Sequence, residues 1–202
     1  MPETREFELI GGEICLDFAN TISGSRWAEY EDYLPDYGAL VEWSKQAGLI
    51  TTEESARLAE EGESQPERAQ VVFARAIALR EAIFYIFSSL QEGKEIDPAD
   101  LEVLNRELSG SLGRTCLVQE DGECRWDWRH EPLSLDLMLG PIASSAADLL
   151  TSDEVPLVRE CANDECSWLF VDRSRNHSRQ WCDMKSCGNV VKVRRYRARK
   201  RR

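Results

Sequence analysis

CANDECSWLFVDRSRNHSRQWCDMKSC, residues 161–187, holds two cysteine pairs, Cys161-x4-Cys166 and Cys182-x4-Cys187, with 15 residues between them. Two short-spaced pairs at that separation fit a four-thiolate zinc site, although two residues between paired cysteines is the commoner spacing. Zinc accepts tetrahedral sulfur and has no redox chemistry of its own. With four protein ligands no coordination position stays open for water or substrate, so one structural Zn2+ is expected, held by Cys161, Cys166, Cys182 and Cys187. An iron–sulfur cluster normally uses tighter spacings. Two disulfides would require an oxidising compartment. His177 lies between the pairs, but four thiolates already satisfy the metal, and it is read as a loop or phosphate-facing residue.

The order of elements around the cysteines is predicted to be a hairpin from Cys161 to about Val171, a polar loop DRSRNHS, and a helix nucleated by the second pair. This is the order of a treble clef. The rival, a zinc ribbon, needs a second hairpin where the chain instead turns arginine-rich. About 45 residues with so few large apolar side chains cannot bury enough area to fold alone, so the metal is expected to hold this piece together. Four thiolates around one divalent cation leave a charge of about −2. Lys185, Arg173, Arg179 and the backbone N–H groups of Gly188 and Asn189 are the predicted compensating donors.

Beyond Cys187 the chain runs GNVVKVRRYRARKRR. Residues 159–202 carry 13 Lys plus Arg against 5 Asp plus Glu, a net of +8, whereas residues 1–158 carry 12 against 32, a net of −20. One sign of charge gathered at a terminus is the footprint of a nucleic-acid contact. The expected contacts are Arg173, Arg175, Arg179, Lys192, Arg194, Arg195, Arg197, Arg199 and Lys200, with Arg201 and Arg202 continuing the run. On a helix, Val190, Val193 and Tyr196 would form a narrow apolar stripe that anchors it. DNA is the first partner to expect and RNA the near neighbour; beyond Trp168, Trp181 and Tyr196 no stacking platform for single strands is evident. A protein-interaction module, a solubilising tail, or a latch closing on the acidic region are the other readings.

Upstream the pattern is mostly helical. Phe7–Ile10 is a strand candidate ahead of Gly11-Gly12, and EICLDFANTI reads as a buried helix containing Cys15, a small buried hydrophobe. Further helices are predicted at 36–49, at 52–61 with Thr52 as N-cap, at 67–91 as the central core helix, at 97–108 with Pro98 at its first position, and at 133–150. Between the last two, RTCLVQEDGECRWDW alternates with period two. Asp121-Gly122 as the turn pairs Glu120 with Glu123, Gln119 with Cys124 and Leu117 with Trp126. That register puts Leu117, Cys124, Trp126 and Trp128 on one face and Cys116 on the other, which disfavours a Cys116–Cys124 disulfide.

The class expected is α+β: a mostly helical domain with a β-hairpin over 1–152, and a small treble-clef-like zinc finger with a basic helix over 157–202. Trp27, Tyr30, Trp43 and the hairpin tryptophans would be the place for a small-molecule ligand. No export signal and no long apolar run is present, so a cytoplasmic protein with no membrane partner is expected. Two histidines, no phosphate-binding glycine loop and no nucleophile with its base argue against an enzyme.

FVDRSRNHSRQWCDMKSCGNVVKVRRYRARK resembles the CGNR zinc-finger family, named for a Cys-Gly-Asn-Arg run after the last ligand. EICLDFANT and ALREAI resemble the ABATE domain that precedes this finger in bacterial proteins described as candidate stress-induced transcription regulators. The resemblance implies the same four zinc ligands and a mostly helical α+β domain followed by a treble-clef-like module. The first functional reading is a DNA-binding transcription regulator whose acidic helical domain is a sensor or dimerisation unit, with a homodimer among the candidate partners. The sequence departs from the name-giving motif at Cys187-Gly188-Asn189-Val190, where valine stands in place of arginine.

Overall fold

The structure, a computed structural model, describes residues 5–28, 30–128 and 133–200, without the side chains of 112 and 125–128. The predicted side-chain places of Trp126 and Trp128, and Arg201 and Arg202 altogether, therefore lie outside what the structure describes. Among the described residues no helix is long and apolar enough to cross a membrane.

Helix α4 (Pro66–Gln91) is the axis of the helical layer, with Pro66 in its first turn where no backbone donor is needed. Its Ala76, Leu79, Ile83, Phe84, Ile86 and Phe87 are all at most 1% exposed. A helix apolar over that much of its circumference must be covered on several sides. It is covered by α1 (Ile14–Ala19), by the pair α2 (Tyr37–Gln46) and α3 (Thr52–Ser64), and by α5 (Pro98–Leu112) and α6 (Leu139–Leu150). Cys15 is fully enclosed in α1, and burial pushes its thiol up to about 12, so it packs as a hydrophobe.

Three expectations shift. The cap of α3 is Thr51, not Thr52: the Thr51 hydroxyl accepts the Glu54 N–H at 3.1 Å while the Glu54 carboxylate accepts the Thr51 N–H at 2.7 Å. Only Thr51 has a glutamate three residues on to close that box. Helix α6 begins at Leu139 rather than 133. The Asp136 carboxylate is held by Arg75, Arg114 and Ser134, which draws the preceding residues into turns. Phe7–Ile10 forms no strand; the Phe7 N–H donates to the Gln46 side chain at 3.0 Å.

Strands β1 (Ile22–Gly24) and β2 (Tyr30–Asp32) form a short ribbon after α1. Strands β3 (Thr115–Glu120) and β4 (Glu123–Trp128) pair in the predicted register, Leu117 opposite Trp126 and Gln119 opposite Cys124, and Cys116 and Cys124 are free thiols.

The last ribbon decides where the cysteines sit. Strand β5 (Val158–Glu160) precedes Cys161 rather than containing it, and pairs antiparallel with β6 (Leu169–Val171). Side chains alternate along a strand, and β6 uses both faces. Leu169 and Val171 enter the same buried cluster as α1 and α4, while Phe170 enters a second one with Cys161 and Cys182. Among the described residues the outer edge of β6 has no strand partner, and it is met by a side chain. The Asn20 amide donates to the Leu169 carbonyl at 2.8 Å and accepts the Leu169 N–H at 2.8 Å. Nearby, the Gly11 carbonyl accepts the Val171 N–H at 2.8 Å. Gly11-Gly12 can do this because a Cβ at Gly11 would come within 2.9 Å of the Leu16 Cβ, and Gly12 turns with a φ of 87° into α1.

Asn20→Ala should therefore leave a buried donor and acceptor of Leu169 unpaired. We expect a loss of about 2–4 kcal/mol in urea unfolding of the zinc-loaded chain, and Asn20→Asp, which keeps only the acceptor, should not restore it.

Candidate metal centre and basic helix

The four cysteines come from two turns. Cys161 and Cys166 open and close the β5–β6 connection, where the Cys161 N–H donates to the Trp168 carbonyl at 2.9 Å. Cys182 precedes, and Cys187 lies within, a five-residue turn, Met184–Gly188, whose first N–H groups are capped by Asp183. Helix α7 (Asn189–Lys200) starts directly from that turn. This is the treble-clef order, with a helix and no second hairpin after the last cysteine.

All four sulfurs lie within 4.8 Å of one another, and Cys166 and Cys182 are 3.8 Å apart. A tetrahedron with Zn–S arms of about 2.3 Å has edges of about 3.8 Å, so the cluster can hold one zinc ion. Hydrogen bonds from Cys166 and Cys182 push the Cys161 thiol well below its ordinary range, and those two thiols are pushed up in return. His177 stands apart, its Nδ1 2.9 Å from the Asp172 carbonyl.

The donors around the sulfurs differ from those expected. Cys161 Sγ accepts the Cys182 N–H at 3.4 Å, and Cys187 Sγ accepts the Asn163 side-chain amide at 3.4 Å. The N–H groups of Gly188 and Asn189 are consumed within the turn by carbonyls of Asp183, Met184 and Ser186. Arg173 does not reach the sulfurs; exposed at the surface, it is held by Glu13, Glu154 and the Gly12 carbonyl. Arg179 lies 4.2 Å over the Phe170 ring and donates to the carbonyls of Trp181, Cys182 and Ile10. It ties the second knuckle to the N-terminal segment. Asn163 is the residue that sequence reasoning missed: besides bonding Cys187, its Oδ1 accepts from Arg194 at 3.3 Å. Its only trace in the sequence is an amide between two ligands in CANDEC.

Residues 12–153 match the ABATE family, whose description reads "Putative stress-induced transcription regulator", and residues 158–200 match the CGNR zinc finger. The chain belongs to the ABATE family. No curated protein matches it. In this ABATE protein the finger is not a separate bead, because β6 of the finger completes the core of the family's helical region.

Helix α7 departs from expectation in its phase. Val191, 4% exposed, is the buried anchor, whereas Val190, Val193 and Tyr196 are 48%, 47% and 59% exposed. Val190, at the position where the family name places arginine, thus supports neither the metal nor the core. Lys192, Arg194, Arg195, Arg197, Arg199 and Lys200 are all exposed, as is Arg175 in the loop. Arg194 pairs with Asp164 and, at 2.9 Å, with Glu165 of the first knuckle. Of the aromatic group expected to hold a small molecule, the described side chains do not converge. Trp43 is fully buried against Phe18 at 4.9 Å, while Trp27 and Tyr30 are exposed.

The purified chain should carry one zinc per molecule by elemental analysis, and its cobalt form should show the absorption of a tetrahedral thiolate site. Asn163→Ala should weaken metal affinity about tenfold or more with the fold retained. Chelation should expose α7 and the cysteine turns to hydrogen exchange while α4 stays protected, since the β6 side chains remain in the helical core.

Proposed function

We propose that this protein is a zinc-dependent duplex-DNA-binding transcription regulator, a binding protein rather than an enzyme, in which α7 contacts the nucleic acid. The observation that carries this reading is the helix itself: six Lys and Arg side chains, all exposed, with no acidic residue from Asn189 to Lys200. The helix begins at the metal cluster, so zinc binding fixes its start and direction. Guanidinium groups fork onto phosphate oxygens, and each neutralised phosphate releases counterions.

The intramolecular contacts narrow the expected set. Arg173 and Arg179 are engaged by intramolecular partners, which leaves Arg175, Lys192, Arg195, Arg197, Arg199 and Lys200 as the phosphate contacts, with Arg194 shared between the first knuckle and the ligand. The ion pairs of α7 among the described residues stay within the finger, so nothing favours a latch onto the acidic helical region. That region, carrying the opposite charge, is proposed as the sensor or dimerisation unit.

Binding of a labelled duplex of about 25 base pairs should weaken linearly in log–log form as salt rises, with a slope of about −0.9 per phosphate contacted. Arg195→Ala and Arg199→Ala should each make that slope shallower by about one. Absence of duplex binding at low salt overturns the proposal, and preference for single-stranded or duplex RNA replaces DNA by RNA.

A further inference from the structure

The exposed apolar residues of α7 are unexplained by phosphate binding, which needs only charge. Their positions follow from the buried Val191. At about 100° per residue, Val193 and Tyr196 fall on the opposite side of the helix from Val191, at the crest farthest from the finger. Lys192, Arg195 and Arg199 flank that crest on one side. Arg194 and Arg197 flank it on the other, together with Val190. Lys200 sits above the crest, its Nζ 5.1 Å from the centre of the Tyr196 ring.

We propose that this crest reads DNA bases in the major groove, and that Val193, assisted by Val190 and the Tyr196 ring, packs on the C5-methyl groups of thymine. The proposal rests on the DNA-binding reading and adds to it the surface that gives sequence preference. The major groove is about 12 Å wide and admits one helix, and thymine is the base that presents an apolar group there. A helix with cationic flanks on both sides of an apolar crest matches that cross-section, with a phosphate row on each wall and methyl groups on the floor. An acidic protein surface would pair with the flanks but offers no reason for their division by a crest. The narrow, deep major groove of duplex RNA would not admit the helix. Valine at position 190 extends the apolar surface where an arginine would have added a third cation to its flank.

The test uses the zinc-loaded full chain. A pool of random 20-base-pair duplexes is selected for binding, and the enriched duplex is remade with deoxyuridine in place of thymine, which removes the methyl groups and leaves the charge unchanged. Wild-type protein should lose about fourfold in affinity for each methyl it buries, with the salt slope unchanged. Val193→Ser should bind both duplexes alike, at the same salt slope; Val193 is exposed, and zinc content checks the variant's fold. Equal affinity of wild-type protein for the thymine and uracil duplexes, or a selected pool without thymine, overturns the base-reading crest while leaving phosphate binding by α7 intact. Failure to bind any duplex at low salt overturns both. The wild-type comparison decides the matter even if the variant loses its metal.

Discussion

Three residues, Leu169–Val171, join the two halves of this protein. Because a strand alternates its faces, Leu169 and Val171 complete the helical core while Phe170, one position between them, closes the metal side. A strand this short cannot hold its place by pairing with β5 alone. Asn20 supplies the missing edge with one donor and one acceptor, and the Gly11 carbonyl supplies another acceptor. These bonds come from the segment around α1, whose residues from Cys15 to Ala19 are buried and which packs against α4 and α6. The placement of the cysteines thus depends on helical packing more than 100 residues earlier in the chain.

That dependence divides the energetic roles. The apolar side of the ribbon is stabilised by area shared with the helices and needs no metal. Beyond Val171 little apolar burial remains, and order has to come from specific polar bonds and the cluster. Asp172 is fully buried and accepts the N–H groups of Ser174 and Arg179, which turns the loop back toward the cysteines. Arg179 then spans three carbonyls and the Phe170 ring. A cation so placed offsets some of the negative charge that four thiolates bring, and does so through the backbone rather than at sulfur. Asn163 extends the chain of bonds outward, from the Cys187 sulfur to Arg194. The orientation of α7 is therefore coupled to the cluster at both its first turn and its second.

Much of this was legible in the residues. The cysteine spacing located the cluster because ligand geometry leaves few alternatives. Period-two alternation with Asp121-Gly122 fixed the β3–β4 register, since a two-residue turn permits one pairing. The broad apolar circumference of α4 named the central helix. Side-chain capture of the backbone was hidden: Asp136 shortening α6, and Asn20 acting as a strand edge, are pairings across 22 to 149 residues that no local pattern encodes. The intramolecular partners of Arg173 and Arg179 were hidden because composition shows charge without showing its partner.

The phase of α7 was hidden for a different reason. Val190, Val193 and Tyr196 have the spacing of a buried stripe, and sequence periodicity cannot say which of two adjacent valines faces inward. One residue is about 100° of rotation, enough to exchange a buried face for an exposed one. The choice is made upstream, in the five-residue turn Met184–Gly188, which is wound more widely than an α-helix and so advances the chain before α7 begins. Both ends of that turn are fixed, by Asp183 capping its start and by Cys187 within it. Given those constraints Val191 points to the finger, and the other apolar side chains point outward between the arginines. The same cluster that orders the helix therefore also selects which of its faces a partner meets.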